Sequence, residues 1–171
     1  MNSNNEIKRI GYVVILFILL FVPDVFSATI YVDRNLQSSI TNGSYSILNR
    51  NNSGSDGNAY TTIQAAINAC SPGDIIYMRG GTYYEHSIII PNSKGGNAGN
   101  HTTLSSYPGE WAIIDANGTN VNGIANVGWN LWPNNNAEGY LRYFTFERFE
   151  LTGANTQNGF YMKTDTVYYR Y

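Results

Sequence analysis

The segment Leu141–Tyr171 constrains the fold more tightly than any other. Phe144 and Phe146 share one parity of an alternating pattern, while Phe149 and Leu151 share the other, so the apolar face shifts by one residue around Glu147-Arg148. A single straight strand cannot make that shift, because one residue of slip turns every side chain to the opposite face. Two short strands meeting at a corner can. Repetition points the same way: Phe144 to Val167 and Phe146 to Tyr169 are both 23 positions apart, and Gly159-Phe160-Tyr161-Met162 repeats the sense of Gly123-Ile124. A period in the low twenties, made of strand, corner, strand and polar turn, predicts coils of a parallel β-solenoid. A leucine-rich repeat has a similar period but needs a leucine ladder and a recurring Asn that the chain lacks. A β-sandwich is the remaining competitor, and its hairpin signals are weak.

Composition agrees with an all-β chain. The 171 residues include 14 Tyr and 17 Gly, which favour strands and turns, and 43% hydrophobic content is enough for a core. Lys+Arg 10 against Asp+Glu 12 gives a net charge of -2, with no dense cationic field for a phosphate backbone, so nucleic acid is not an expected partner. A single cysteine, Cys70, excludes an internal disulfide and any multi-cysteine zinc site.

The N-terminus reads as an address. Lys8 and Arg9 precede the uncharged run Ile10–Val22, Pro23 breaks it, and Val25-Phe26-Ser27-Ala28 offers a cleavage point after Ser27. The run is shorter than the roughly 20 residues that span a bilayer. Residues 1–27 are therefore expected to be a signal peptide, with an uncleaved anchor as the alternative and the membrane reached only through that segment. The protein is expected to be secreted or held at the cell surface. Residues 28–171 fit one small domain, expected to be monomeric.

Within that domain Thr29–Asp33 predicts a first strand, and Ser38–Asn58 a polar loop. One helix follows. Thr61 is the expected cap with Gln64 reaching back in a capping box, and Ile63, Ala66, Ile67 and Cys70 fall on one face. Ser71-Pro72-Gly73 stops the helix. Asp74–Met78, Ser87–Ile90, Thr102–Tyr107 and Trp111–Asp115 then predict short strands separated by Gly, Asn and Pro clusters.

Ala59–Asn68, followed by Pro72-Gly73-Asp74-Ile75-Ile76-Tyr77-Met78-Arg79-Gly80-Gly81-Thr82-Tyr83, resembles the N-terminal part of secreted right-handed parallel β-helix proteins. These form the pectate-lyase-like superfamily, and the resemblance is closest to its family 9 polysaccharide lyases and related surface proteins. Thr103–Glu110, Ile113-Ile114-Asp115 and Phe149–Ala154 continue it. The resemblance implies a right-handed parallel β-helix whose open end is covered by the amphipathic helix. It also implies an extracellular polysaccharide as partner, and in a full-length protein β-elimination of a pectate-type acidic polymer assisted by Ca²⁺. In that family the catalytic groups project from middle coils, beyond the coils expected here. The chain is accordingly expected to be an N-terminal portion that is itself inactive, with a non-catalytic carbohydrate-binding scaffold as the alternative.

No catalytic residue is assignable from the sequence, and no cofactor is expected in this chain. Asp33, Asp56, Asp74 and Asp115 are isolated beside strand ends or turns, where Asp bonds local backbone, and do not form the 6–8-oxygen cluster that Ca²⁺ requires. Glu85-His86 is a weak acid/base pair because neighbours on a strand point apart. Lys163, Asp165 and Arg170 read as a turn or a solvated face. Trp129 and Trp132, among Asn126, Asn130 and Asn134-Asn135-Asn136, are the candidate sugar-binding residues, since flat rings stack on sugars and amides supply paired donors and acceptors. A loop whose tryptophans cover a corner of the solenoid is the favoured explanation of them. Asn42, Asn51, Asn100 and Asn117 each begin an Asn-X-Ser/Thr pattern, expected by chance in such a chain.

Overall fold

The computed structural model describes residues 27–118, 121–126, 140–155, 158–161 and 167–170, with Asn126, Tyr161 and residues 167–170 described through their backbone. The described chain is mostly β, with one α-helix. In order it comprises β1 (Thr29–Val32), β2 (Asn58–Tyr60), α1 (Ile63–Ala69), β3 (Ile75–Met78), β4 (Gly81–Tyr83) and β5 (Ile88–Ile90). A 3-10 turn at Asn92–Lys94 leads to β6 (Thr102–Ser106), β7 (Ala112–Gly118) and β8 (Ile124–Asn126). Then come β9 (Phe144–Glu147), β10 (Phe149–Ala154), β11 (Phe160–Tyr161) and β12 (Val167–Arg170).

These strands build three sheets, and every pairing between named strands is parallel. The first sheet runs β12-β9-β6-β3-β1-β2, the second β10-β7-β4 and the third β11-β8-β5. From β3 onward the chain therefore visits first, second and third sheet in the same order three times before returning to the first with β12. The expected 23-residue step is an actual register: Val167 lies opposite Phe144 and Tyr169 opposite Phe146. Phe160 lies opposite Ile124. The predicted corner also holds. Arg148 adopts φ 57, a left-handed conformation that separates β9 from β10 and turns the chain from the first sheet into the second.

Side chains facing inward form ladders across the sheets. Ile30, Ile76, Leu104 and Phe146 occupy equivalent rungs of the first sheet, Tyr83 and Ile114 of the second, and Ile88 and Ile124 of the third. All are buried in one apolar core. Because parallel pairing repeats the same inside position from strand to strand, each apolar side chain rests on the one before it. Helix α1 lays Ile63, Ala66 and Ile67 on this core, and Cys70 at its end joins them.

Three local expectations change. The helix cap is Thr62, whose hydroxyl accepts from the Ala65 amide, one residue later than Thr61. Gln64 makes no capping box; its side-chain amide exchanges both hydrogen bonds with Ile89 of β5 (2.9 and 2.7 Å). The capping carboxylate comes instead from Glu85, which accepts from the Ile63 and Gln64 amides at 2.8 and 3.2 Å. The stretch Ser38–Asn58 is more than a polar loop, for Tyr45 within it is fully buried against Tyr31, Ile40 and Ala59, and its last residue starts β2. Beyond these expectations, Gly81–Tyr83, which is not among the predicted strands, is β4.

Candidate functional site

The outward rungs of the first sheet carry polar and aromatic groups where the inward rungs carry aliphatic ones. Ile75, Thr103 and Thr145 align across β3, β6 and β9, and beside them Tyr77, Ser105 and Glu147 form the next row. Alternation within each short strand produces this split: Ile76 and Met78 are buried while Ile75 and Tyr77 are only half-buried. Over the rows stands the turn 97–100, closed by reciprocal backbone hydrogen bonds between Asn97 and Asn100 (2.9 and 3.1 Å). The result is an open groove of about 380 Å³, with Ile75, Thr103 and Thr145 on its floor and Ala98 to His101 as a wall. Tyr77 and Glu147 also line it.

The wall is fixed from below. Thr102 donates its hydroxyl to the Lys94 carbonyl and accepts from the Gly73 amide, both at 2.7 Å, while the Lys94 ammonium donates to the carbonyls of Asn68 and Cys70 at the end of α1. Tyr143 accepts two backbone bonds, from Gly96 and Thr102. His101 is held by its neighbours: Nδ1 lies 3.2 Å from Thr145 Oγ1, and its ring contacts that of Tyr143 at 5.6 Å. Glu147 has Arg148 3.6 Å away, and Arg148 itself donates to Ser105 Oγ at 2.9 Å. The groove is thus lined by the polar side chains of Tyr77, Asn100, His101, Thr103 and Glu147, while Thr145 is buried with its hydroxyl against the His101 ring. That set can exchange hydrogen bonds with a neutral polyhydroxylated ligand lying across the strands.

A second polar cluster lies under the 38–58 segment and is architectural. Asp33, fully buried, accepts from Tyr45 Oη at 2.8 Å and from Arg50 Nε and Nη2 at 2.8 and 2.5 Å. Burial alone would raise the Asp33 carboxyl, but the hydrogen bonds from Arg50, the Asn35 amide and Tyr45 outweigh it and hold the group below its usual range. Arg79 donates to Glu110, Tyr45 Oη and the Ile47 carbonyl and lies 4.9 Å over the Tyr107 ring. Glu110 is pulled down by its Arg79 hydrogen bonds. Burial and the Asp33 hydrogen bond push Tyr45 up to about 12. Among the described residues every buried side-chain polar atom has a partner, so this cluster leaves nothing free for a ligand.

The sequence candidates divide accordingly. Trp129 and Trp132 lie outside the described residues, as do Lys163 and Asp165. Asp56, Asp74 and Asp115 bond local backbone or close neighbours, through the amides of Ile47, Ser71 and Asn117. Glu85 caps α1, with burial raising its carboxyl, while His86 is exposed and makes its contact with Ser87, so the two do not act as a pair. The groove residues Tyr77, Thr103, Thr145 and Glu147 carry no local signal, and Asn100-His101-Thr102 reads only as a glycosylation pattern. Among the described residues no three His, Cys, Asp or Glu gather to hold a metal ion, and no helix is long and apolar enough to cross a membrane. Comparison with family models, with curated proteins and with solved structures finds no match to this chain.

Proposed function

We propose that the three sheets are the walls of a right-handed parallel β-helix, and that this exported, pectate-lyase-like scaffold binds extracellular polysaccharide along the outer face of its first sheet. The threefold recurrence of the same sheet order supports the coil reading, and right-handed crossover between parallel strands is the strong default. The observation that carries the functional reading is the groove itself, where side chains of three successive parallel strands meet the Asn100 amide and His101 imidazole of the adjoining wall.

Binding rather than cleavage is the activity proposed for this chain. β-Elimination by lyases of the resembled family needs a neutralised sugar carboxylate and a Lys or Arg, deprotonated through a lowered pKa, to take the proton from the C–H bond. The groove offers one carboxylate, and the nearby Arg148 is already engaged by Ser105 and Glu147. Affinity electrophoresis of the purified chain through gels containing soluble polysaccharides tests the reading. Retardation by at least one polymer is expected, together with no rise in ultraviolet absorbance from unsaturated product on polygalacturonate with Ca²⁺. Unretarded migration in every gel would remove the proposal.

A further inference from the structure

We infer that the outer face of the second sheet is a further saccharide-binding surface, on which Trp111 and Tyr84 stack against sugar rings. It lies apart from the groove of the first sheet and needs nothing from it. Parity sets the face. Ala112 and Ile114 of β7 are fully buried, so Trp111, Ile113 and Asp115 point outward, and burial of Tyr83 in β4 turns Thr82 and Tyr84 outward as well. Register sets the spacing. Thr82 lies opposite Ile113 and Tyr83 opposite Ile114, so Tyr84 comes level with Asp115, four positions along from Trp111, or about 13 Å in the strand direction. Both rings are open to solvent, Trp111 at 56% and Tyr84 at 67%. Among the described residues neither side chain is engaged in a hydrogen bond or a ring contact. Gly80, level with Trp111 on the β4 side, has no side chain to cover the indole.

What separates the two rings is polar. Thr82 and Asp115 stand between them, and the exposed Glu150 and Thr152 of β10 continue the rows beyond Ile113 and Asp115. A protein partner asks for a continuous apolar patch, which these groups interrupt. A sugar chain asks for the arrangement seen: flat aromatic faces for its C–H surfaces, with hydroxyls and carboxylates in reach of its own hydroxyls. Charge on the face is mixed, since Arg34, held by the Thr82 carbonyl, borders one side and Glu150 the other. The class that fits is a chain of pyranoses with equatorial hydroxyls, such as a β-linked glucan, whose rings offer C–H faces to a flat surface while their hydroxyls project at the edges.

Affinity electrophoresis in hydroxyethylcellulose tests this surface with the parent chain, Trp111→Ala, Tyr84→Ala, Tyr84→Phe and the groove variant His101→Ala. Circular dichroism confirms each fold, and sedimentation gives each oligomeric state. The parent is expected to be retarded. Trp111→Ala and Tyr84→Ala should each weaken binding about fivefold, the size of a stacking contact, whereas Tyr84→Phe, which keeps the ring, should weaken it less than about twofold. The Trp111→Ala loss should keep its size in a His101→Ala background, as separate sites require. Retardation that Trp111→Ala and Tyr84→Ala leave unchanged would overturn the inference and leave glycan binding in the groove standing. Retardation lost in those two variants and untouched by His101→Ala would uphold the inference and remove the groove reading. A parent dimer that Trp111→Ala turns into a monomer would make the face a contact between copies and overturn the inference. Unretarded migration of the parent in hydroxyethylcellulose would overturn it too, with retardation by another polymer still keeping the groove reading.

Discussion

Asp33 shows how one side chain can anchor a long segment. It sits at the end of β1, and by taking two hydrogen bonds from Arg50 and one from Tyr45 it fastens the 38–58 segment over the outer face of the first strands. Its folded pKa lies below the unfolded value, as does that of Glu110, so the stability they contribute is fully present above about pH 4.5 and is lost as pH falls through their folded values. Asp33→Asn should cost about 3 kcal/mol at neutral pH, since it leaves Arg50 and Tyr45 facing a group that no longer balances them. The acid limb of the melting temperature against pH should flatten in the variant, measurably by calorimetry between about pH 5 and pH 2. A second residue-scale consequence concerns export. The Ala28 amide donates to Asp74 Oδ1 at 2.9 Å, so cleavage after Ser27, as the leader predicts, would place a new α-ammonium against a buried carboxylate. A carboxylate partner would raise that ammonium's pKa above its ordinary value of about 8, so its contribution would be complete below that pH and disappear as pH rises through the folded value. Chemical denaturation between about pH 7 and pH 10 should show an alkaline loss of stability in the chain beginning at Ala28, absent in Asp74→Asn.

At the scale of elements, the corner between β9 and β10 carries the chain from one sheet to the next. Arg148 holds φ 57 there, a conformation that crowds a Cβ against the following carbonyl. Arg148→Ala and Arg148→Gly both remove the hydrogen bonds to Ser105, so comparing them isolates the backbone. The Gly variant should be the more stable by about 1 kcal/mol in urea denaturation, whereas at an ordinary strand position Gly would be the less stable. This corner was legible in the sequence because apolar residues flank it with opposite parity within eight positions, Phe144 to Leu151. Helix α1 was legible from its apolar spacing. Its expected capping box failed because Gln64 is drawn to Ile89, and the carboxylate that takes the first amides, Glu85, arrives from about twenty positions away and follows no local rule. The groove was less legible still, since its floor joins Ile75 to Thr103 to Thr145. Steps of 28 and 42 residues separate these rungs, against 23 for the last pair of strands. Turns of unequal length hide a spatial repeat, because only the strands need to stay in register while the turns between them are free to grow.

For the whole molecule, the consequence of parallel pairing is that stability is shared between neighbouring strands of each sheet. Leu104 lies between Ile76 and Phe146 on the inward rung of the first sheet, with no exposed surface, and β6 is paired on both sides. Truncation there removes packing against two strands at once, in the one apolar core that the three sheets share. Leu104→Ala should therefore cost about 2–5 kcal/mol in equilibrium denaturation, toward the upper part of that range, because the flanking ladders are pinned by hydrogen bonds and cannot close the cavity. The loss should also spread through the stack in order of adjacency. Amide exchange in β3 and β9, which pair directly with β6, should accelerate as much as in β6 itself. β1 and the 38–58 segment should change less, since the Asp33 and Arg79 hydrogen bonds hold them independently of that rung. Uniform acceleration at every described amide would instead mean that the sheets unfold as one cooperative unit, and that the layers do not carry separate stabilities.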